Sequence, residues 1–212
     1  MRYLNSHAAQ WLAGLLACAA LICTLALPGA ATAQSARYEV PSAPLAEVET
    51  LTARAMRLYR SGDTHAAVRA FEAASATAEK HFGGKDPKFV QSLNNLALIY
   101  DLSGALDRAE MVYLRAIAIV EGQRAAALAQ LANLRNNLAA VVLQQCRVGD
   151  ARALYKQAVD LSEKSLGGQH FDTRMMRKNV SQLDRYLGAT AAVHDTDGDT
   201  DGVGKMLQRC VG

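Results

Sequence analysis

Residues 93–104 read LNNLALIYDLSG, and residues 135–146 return to the same pattern as RNNLAAVVLQQC. The two stretches begin 42 residues apart and carry the tetrapeptide Asn-Asn-Leu-Ala in the same place. A pattern that returns at a fixed interval is typical of proteins built from stacked, similar structural units. The interval therefore decides how the rest of the chain divides.

Five columns of residues keep the 42-residue interval through three consecutive units. Three columns are alanine, one is aromatic and one marks a turn. They are Ala55, Ala97 and Ala139; Ala67, Ala109 and Ala151; Ala74, Ala116 and Ala158; Phe71, Tyr113 and Tyr155; and Gly62, Gly104 and Cys146. Helices approach closely only where their side chains are small, and an aromatic ring fills the larger gap beside them. The columns predict closely packed helices in every unit.

The apolar residues within a unit follow helical spacing. In the middle unit, Leu96, Ala97 and Tyr100 lie on one helical face, and Gly104 follows that face. A glycine just past a helix end takes the left-handed backbone that closes the helix. Asp86-Pro87 marks a helix start, because the acid caps and the proline needs no N–H donor in a first turn. Each unit is therefore predicted to be helix, turn, helix.

These features resemble the tetratricopeptide repeat, a helical hairpin of about 34 residues with small residues at its crossing and an aromatic residue in its second helix. The longer interval and the Asn-Asn-Leu-Ala tetrapeptide resemble more narrowly the kinesin-light-chain-like branch of that family. Residues 79–84, EKHFGG, and residues 163–168, EKSLGG, lie two intervals apart and strengthen the resemblance. It implies an all-α fold, a right-handed α-solenoid.

The resemblance covers about residues 48–187, and it implies a solenoid over residues 44–187, with about three hairpins at residues 48–81, 90–123 and 132–165 and a capping helix at residues 171–187. Three features depart from the pattern. Cys146 replaces the turn glycine, Arg135 replaces a leucine, and residues 122–132, GQRAAALAQLA, replace a Gly-Gly loop. We expect the junction between the second and third hairpins to be shorter or more helical than residues 124–131, which these hairpin bounds leave for it.

Residues 1–33 have the features of a secretory signal peptide. After a basic start, Trp11 to Leu27 form an apolar run of 17 residues, and Ala31-Thr32-Ala33 then supplies small residues for cleavage before Gln34. The alternatives are lipid attachment at Cys18 and an uncleaved anchor, although a bilayer span usually takes about 20 residues. We expect a periplasmic or secreted protein with no membrane span after cleavage.

The two ends of the predicted mature chain lack the repeat. Residues 34–43 are expected to form a flexible leader, and residues 188–212 a flexible tail rich in aspartate and glycine. Asp197, Asp199 and Asp201, followed by a glycine, match the opening of a calcium loop, but no glutamate follows to complete the ligand set. A soluble acidic linker is the plainer interpretation, and weak calcium binding is the alternative. No other cofactor is predicted.

Two cysteines lie outside residues 1–33, namely Cys146 and Cys210. An exported protein meets conditions in which such a pair oxidises. We predict a disulfide that pins the tail to the third hairpin, with two free thiols as the alternative.

Charge and motif content exclude several classes of function. Taking Arg2 from the 23 Lys and Arg residues leaves 22, against 20 Asp and Glu, and this balance argues against a nucleic-acid-binding face. The sequence has no nucleophile elbow, phosphate loop or dinucleotide fingerprint. Outside residues 1–33 its histidines do not show metal-ligand spacing. An enzyme is not predicted.

The resemblance implies that the first helix of each hairpin lines the concave face of a curved solenoid. Seven residues are predicted to face that groove: Thr52, Asn94, Asn136 and Lys178 in one row, and Tyr59, Arg60 and Arg185 further along the terminal helices. An asparagine amide both donates and accepts hydrogen bonds, so it can pair with the backbone of a bound peptide. The alternative is that these asparagines bond to each other or to helix ends.

The predicted function is therefore a non-catalytic exported adaptor that binds a peptide or protein segment in the groove. One alternative is an accessory structural subunit that packs by its outer face in an envelope assembly. Another is a secreted module that responds to calcium through its tail.

Overall fold

The computed structural model describes residues 42–123, 127–192 and 210. Helices and turns, without strands, make up these residues. In chain order the helices are α1 Ser42–Arg60, α2 Thr64–Phe82, α3 Pro87–Leu102, α4 Leu106–Glu121, α5 Leu128–Gln144, α6 Val148–Leu166 and α7 Phe171–Ala192. The predicted signal peptide, nearly all of the predicted leader, and Asp197, Asp199 and Asp201 lie outside the described residues.

The helices pair as the repeat predicts. α1 packs on α2, α3 on α4 and α5 on α6, and each second helix also packs on the first helix of the next unit. α7 packs on α6 as a closing helix and runs to Ala192, past the predicted end at Leu187. The prediction of an all-α repeat solenoid is confirmed.

The junctions between hairpins differ in length. Residues 83–86 join α2 to α3 and residues 167–170 join α6 to α7, whereas residues 122–127 join α4 to α5. The middle junction is longer than its neighbours, but it is shorter than the residues 124–131 that the predicted hairpin bounds left for it, because α5 already begins at Leu128. Residues 124–126 of this junction lie outside the described part of the chain.

The turn column closes each first helix in the same way. Gly62, Gly104 and Cys146 have φ angles of 88°, 79° and 63°. In each unit the amide after this residue donates to the carbonyl five positions earlier, as from Ala105 to Tyr100 at 2.9 Å. This bond requires the left-handed backbone, which explains the glycine in two of the three units.

The alanine columns form the helix crossings, because all nine alanines are at most 1 % exposed. The aromatic column, Phe71, Tyr113 and Tyr155, is also buried. The predicted caps form as well, since the Asp63 carboxylate accepts from the amide of Ala66 at 2.9 Å and the Asp86 carboxylate accepts from that of Lys88 at 2.7 Å.

Arg135 belongs to a column of ion pairs that the sequence did not reveal. Arg135 pairs with Glu121, and Arg177, one interval later, pairs with Glu163 at 2.7 Å. Leu93 holds the same place in the second unit and is buried. Leu51 holds it in the first unit, so this column carries leucine on α1 and α3 and arginine on α5 and α7.

Candidate functional site

The first helices α1, α3, α5 and α7 follow one another along the solenoid, and we call the surface they share the first-helix face. On this face Asn137 Nδ2 donates to Asn94 Oδ1 at 3.1 Å, and Asn179 Nδ2 donates to Asn136 Oδ1 at 2.9 Å. We call these four residues the asparagine ladder. All four are half-buried, so their amides stay accessible. The ladder joins α3 to α5 and α5 to α7.

The ladder changes the role expected of the predicted row. Asn94 and Asn136 bond to asparagines of the next first helix, which is the alternative raised from the sequence. Between helices, only the side-chain oxygens of Asn94 and Asn136 form hydrogen bonds. Asn136 Nδ2 instead donates to Asn137 Oδ1 on its own helix at 3.5 Å. Asn94 Nδ2 donates no hydrogen bond to any residue in the described ranges. Its N–H groups therefore remain available on the first-helix face.

The rest of the predicted groove residues lie at the ends of this face. Thr52 and Tyr59 are half-buried and Arg60 is exposed on α1, while Lys178 and Arg185 are exposed on α7. Arg185 Nε donates at 3.4 Å to the carbonyl of Ser181 on its own helix. α3 and α5 separate these two groups, so they do not form one cluster.

A second connection between α3 and α5 went unnoticed in the sequence. Gln144 Nε2 donates to Asp101 Oδ1, two helical turns along from the bond between Asn94 and Asn137. Asp101 is half-buried, and burial raises the pKa of its carboxyl group, an effect that the Gln144 hydrogen bond partly offsets. No Lys, Arg or His in the described ranges forms an ion pair with Asp101.

Tyr113 of α4 lies beneath this connection. It is fully buried, and its hydroxyl forms no hydrogen bond with any described residue. Burial raises the pKa of Tyr113 most, the Asp101 charge raises it further, and the nearby Asn137 amide lowers it. Burial and then the Asp101 charge also raise the pKa of Tyr155 on α6. Two buried phenols thus lie within the field of one carboxylate.

The structure joins Cys146 and Cys210 by a disulfide, with Cα atoms 5.1 Å apart. The bond holds residue 210 at the turn between α5 and α6, where the sulfur of Cys210 lies 3.9 Å from the carbonyl of Leu143. Cys146 keeps the left-handed backbone of the turn column at φ 63°. A side chain in this region costs about 1–2 kcal/mol that glycine avoids.

Two ways of removing the disulfide should therefore differ in stability. Cys146→Gly loses the bond but relieves the backbone, whereas Cys210→Ser loses the bond and leaves the side chain at φ 63°. We expect Cys146→Gly to be the more stable variant by about 1 kcal/mol. Urea unfolding of the two variants measures the difference. Equal stabilities, or a less stable Cys146→Gly, would refute this expectation.

Neither metal binding nor membrane insertion finds support in the described ranges. Residues 42–123, 127–192 and 210 contain no group of three or more His, Cys, Asp or Glu side chains placed to hold a metal ion. The same residues include no helix with the length and apolar character that crossing a bilayer takes.

Comparison with known proteins identifies the repeat. The family model described as tetratricopeptide repeat matches residues 47–122 and 130–196. No curated protein matches the chain. Among solved structures, BtubC (BKLC) from P. vanneervenii has a TM-score of 0.60 at 19% identity, and the match covers 79% of this chain and 61% of that one. This chain therefore spans less than two thirds of that protein.

A second similar structure is a putative kinesin light chain from Podosopora anserina with nearly identical TPR-like repeats. Its TM-score is 0.57 at 18% identity, and the match covers 77% of this chain and 84% of that one. At such identities the likeness establishes the fold alone.

Proposed function

Because the chain belongs to the tetratricopeptide repeat family, we propose that it is a non-catalytic adaptor that binds a peptide or protein segment on its first-helix face. Repeats of this family suggest a protein-protein interaction module. The observation that carries the proposal is the asparagine ladder, four half-buried amides that link the first helices α3, α5 and α7.

Within the described residues, the ladder leaves the N–H donors of Asn94 unused. Asn94 uses its oxygen to hold Asn137, so both N–H bonds of its amide remain for a ligand. An extended segment presents backbone carbonyl groups at a rise of about 3.3 Å per residue, whatever its side chains are. The Asn94 amide suits such a segment because Asn137 already holds it in position, which reduces the entropy lost on binding.

An apolar column runs beside the ladder on the same helices. Met56, Leu98 and Ala140 lie one interval apart, and all three are half-buried. They give the side chains of a bound segment an apolar surface next to the amides. Amides for the backbone and an apolar strip for side chains are the usual composition of a peptide-binding groove.

The outer face supports a second candidate function, that of an accessory structural subunit. Met111 and Leu114 of α4 are 63% and 49% exposed. Large apolar side chains exposed together on one helix suit packing against another protein. This candidate differs from the adaptor in using α4 and leaving the first-helix face empty.

Export is a further part of the proposal, and calcium binding by the tail stays an alternative to it. The apolar run and small residues before Gln34 support secretion, and intact mass from the envelope fraction should give a chain that begins at Gln34. Full-length protein in the cytosol would contradict export. Weak calcium binding by the aspartates of the tail is tested by calorimetric titration of that mature chain, and the absence of heat would exclude it.

A random-peptide display selection on the immobilised mature chain tests the adaptor. We expect a family of related peptides to be enriched over an empty support. Leu98→Glu should abolish their binding because it places a charge in the apolar column, whereas Leu114→Glu on the outer face should leave it unchanged. Circular dichroism checks that both variants fold. Failure to enrich any peptide would contradict the proposed function.

A further inference from the structure

An open cavity lies at the junction between the second and third hairpins, and we call it the junction cavity. Its volume is about 270 Å³, and its apolar lining includes Val120 of α4, Leu128 and Leu131 of α5 and Leu161 of α6. Val120 and Leu131 are buried, while Leu128 and Leu161 are half-buried. The cavity is therefore an apolar depression that is open to solvent.

A change of one side chain helps to explain why this space exists. Leu131 holds the place of Phe89, which is fully buried at the junction of α2 and α3 with the guanidinium carbon of Arg115 5.0 Å from its ring centre. Leucine has fewer carbon atoms than phenylalanine. Protein interiors are closely packed, so an apolar depression of this size is a place where an apolar group of another molecule fits.

Arg135 lines the same cavity and has unused hydrogen-bond donors. Its Nη2 donates to Glu121 Oε1 at 2.5 Å, and its guanidinium forms no other hydrogen bond with a described residue. A guanidinium group carries several N–H donors in a fixed plane. The side chain of Arg135 is 21% exposed, so a ligand in the cavity can reach these donors.

The equivalent arginine on α7 shows which acceptor suits the free donors. Arg177 pairs with Glu163 as Arg135 pairs with Glu121, and its Nη1 also donates to the backbone carbonyl of Gly168 at 2.8 Å. A Cβ at Gly168 would lie 2.8 Å from Arg177 Nη2, so glycine allows the loop to approach the guanidinium. Residues 122–132 replace this Gly-Gly loop, and Arg135 has no such peptide carbonyl among the described residues.

Gln123 supplies an acceptor beside these donors. Its Nε2 donates to the backbone carbonyl of Lys85 at 2.8 Å, which holds the side chain, while its Oε1 accepts no hydrogen bond from a described residue. A peptide unit has one C=O acceptor and one N–H donor, so Arg135 and Gln123 offer a partner to each. The Glu121 carboxylate balances the charge of Arg135, so a neutral peptide unit fits better than a free carboxylate.

We propose that the junction cavity binds a leucine or phenylalanine residue of a partner protein. The side chain of that residue packs on Val120 and Leu131, its carbonyl accepts from Arg135 and its N–H donates to Gln123. A cavity of about 150 Å³ accommodates benzene, so one of about 270 Å³ has room for such a side chain with a peptide unit. No ladder asparagine lines this cavity, so it is a contact separate from the first-helix face.

Titration of the isotope-labelled mature chain with N-acetyl-leucinamide, followed by NMR, tests the proposal. We expect saturable shifts at Val120, Leu131 and the side chain of Arg135. N-acetyl-alaninamide has the same amides and a shorter side chain, so it should bind at least about tenfold more weakly because it buries fewer carbon atoms. Equal binding of the two amides, or no saturable shift at these residues, would overturn the site.

Four variants separate the cavity from its surroundings. Leu131→Phe introduces the side chain that Phe89 contributes at the first junction, so it should fold, fill the cavity and abolish binding of N-acetyl-leucinamide. Arg135→Leu should weaken binding about tenfold, the scale of one charge-assisted hydrogen bond. Arg177→Leu, at an arginine whose donors are already engaged, and Leu98→Glu, on the first-helix face, should leave binding unchanged.

Two further ligands test whether the occupant belongs to a protein chain. N-acetyl-leucine ends in a carboxylate that Glu121 repels, so it should bind more weakly than N-acetyl-leucinamide. The capped tripeptide acetyl-Gly-Leu-Gly-amide should bind at least as tightly as N-acetyl-leucinamide. Preference for N-acetyl-leucine, or exclusion of the tripeptide, would identify a small-molecule site and overturn the proposed protein partner.

The outcomes with the variants distinguish this proposal from the adaptor. Undiminished binding to a folded Leu131→Phe variant, or equal losses in Arg135→Leu and Arg177→Leu, would overturn the junction cavity and leave the first-helix face untouched. Binding that Leu98→Glu removes would place the ligand on the first-helix face and also overturn the proposal. Failure of the display selection would contradict the adaptor while saturable binding at the junction cavity stands.

Discussion

Leu138→Ala should lower the free energy of unfolding by about 2–5 kcal/mol, whereas Leu114→Ala should change it by no more than about 0.5 kcal/mol. Leu138 of α5 is 2% exposed and belongs to the main apolar core, while Leu114 of α4 is 49% exposed. The two changes delete the same atoms, so burial alone accounts for the difference.

The position of α5 makes the first effect large. α5 packs on α4 and on α6, so a cavity at Leu138 loosens two helix interfaces at once. In a repeat protein each unit is stabilised mainly by its neighbours, so this loss reaches the hairpins on either side. Urea unfolding followed by circular dichroism measures both variants. Similar losses for Leu138→Ala and Leu114→Ala would mean that the helices are not packed as described.

The double change Asn94→Asp with Asn136→Asp should weaken binding of the displayed peptides about tenfold or more. Each new carboxylate still accepts from Asn137 or Asn179, so the contacts between helices survive. The N–H donors of Asn94, which the described residues leave unused, disappear, at about 1 kcal/mol for each hydrogen bond lost. Two negative charges also face the backbone carbonyl oxygens of the segment, which adds repulsion.

A matched control separates local from general charge effects. Gln157→Glu with Gln169→Glu adds the same charge at exposed positions away from the first-helix face, and it should leave affinity unchanged. Fluorescence anisotropy with a labelled peptide measures all three proteins. Wild-type affinity in a folded Asn94→Asp, Asn136→Asp variant would remove the ladder from the binding site.

The sequence predicted the hairpins because their causes are local. The alanine columns, the aromatic column and Gly62 and Gly104 record where helices cross and turn, and a constant interval makes these positions visible. Asp63 and Asp86 likewise indicate where the helices that they cap begin. In these places each residue type has one physical role, which its position in the repeat reveals.

The partners of the ladder asparagines were not predictable from the interval. Asn94 bonds to Asn137 and not to its own equivalent Asn136, so the connection runs 43 residues along the chain. That offset depends on how one hairpin tilts against the next, and the side chains that set the tilt are distributed over both. The sequence therefore located Asn94 and Asn136, named Lys178 where Asn179 makes the contact, and left the orientation of the asparagines between two alternatives.

Asp101 was missed for a different reason. A repeat reveals positions where the same residue type recurs. Asp101 does not recur, because the equivalent positions carry Tyr59, Leu143 and Arg185. The available signal was this lack of recurrence, a single carboxylate among unlike residues on a half-buried face. Its importance depends on Gln144 and Tyr113, which reach it only in the folded chain.

Site-specific photo-crosslinking in living cells tests the central claim most directly. A crosslinking residue at Gln91 or Asn133 reports on the first-helix face, one turn from the ladder, and one at Met111 or Ala118 reports on the outer face of α4. The adaptor predicts one protein captured from Gln91 and Asn133. Capture from Met111 and Ala118 alone would contradict it and identify an accessory subunit that packs by its outer face.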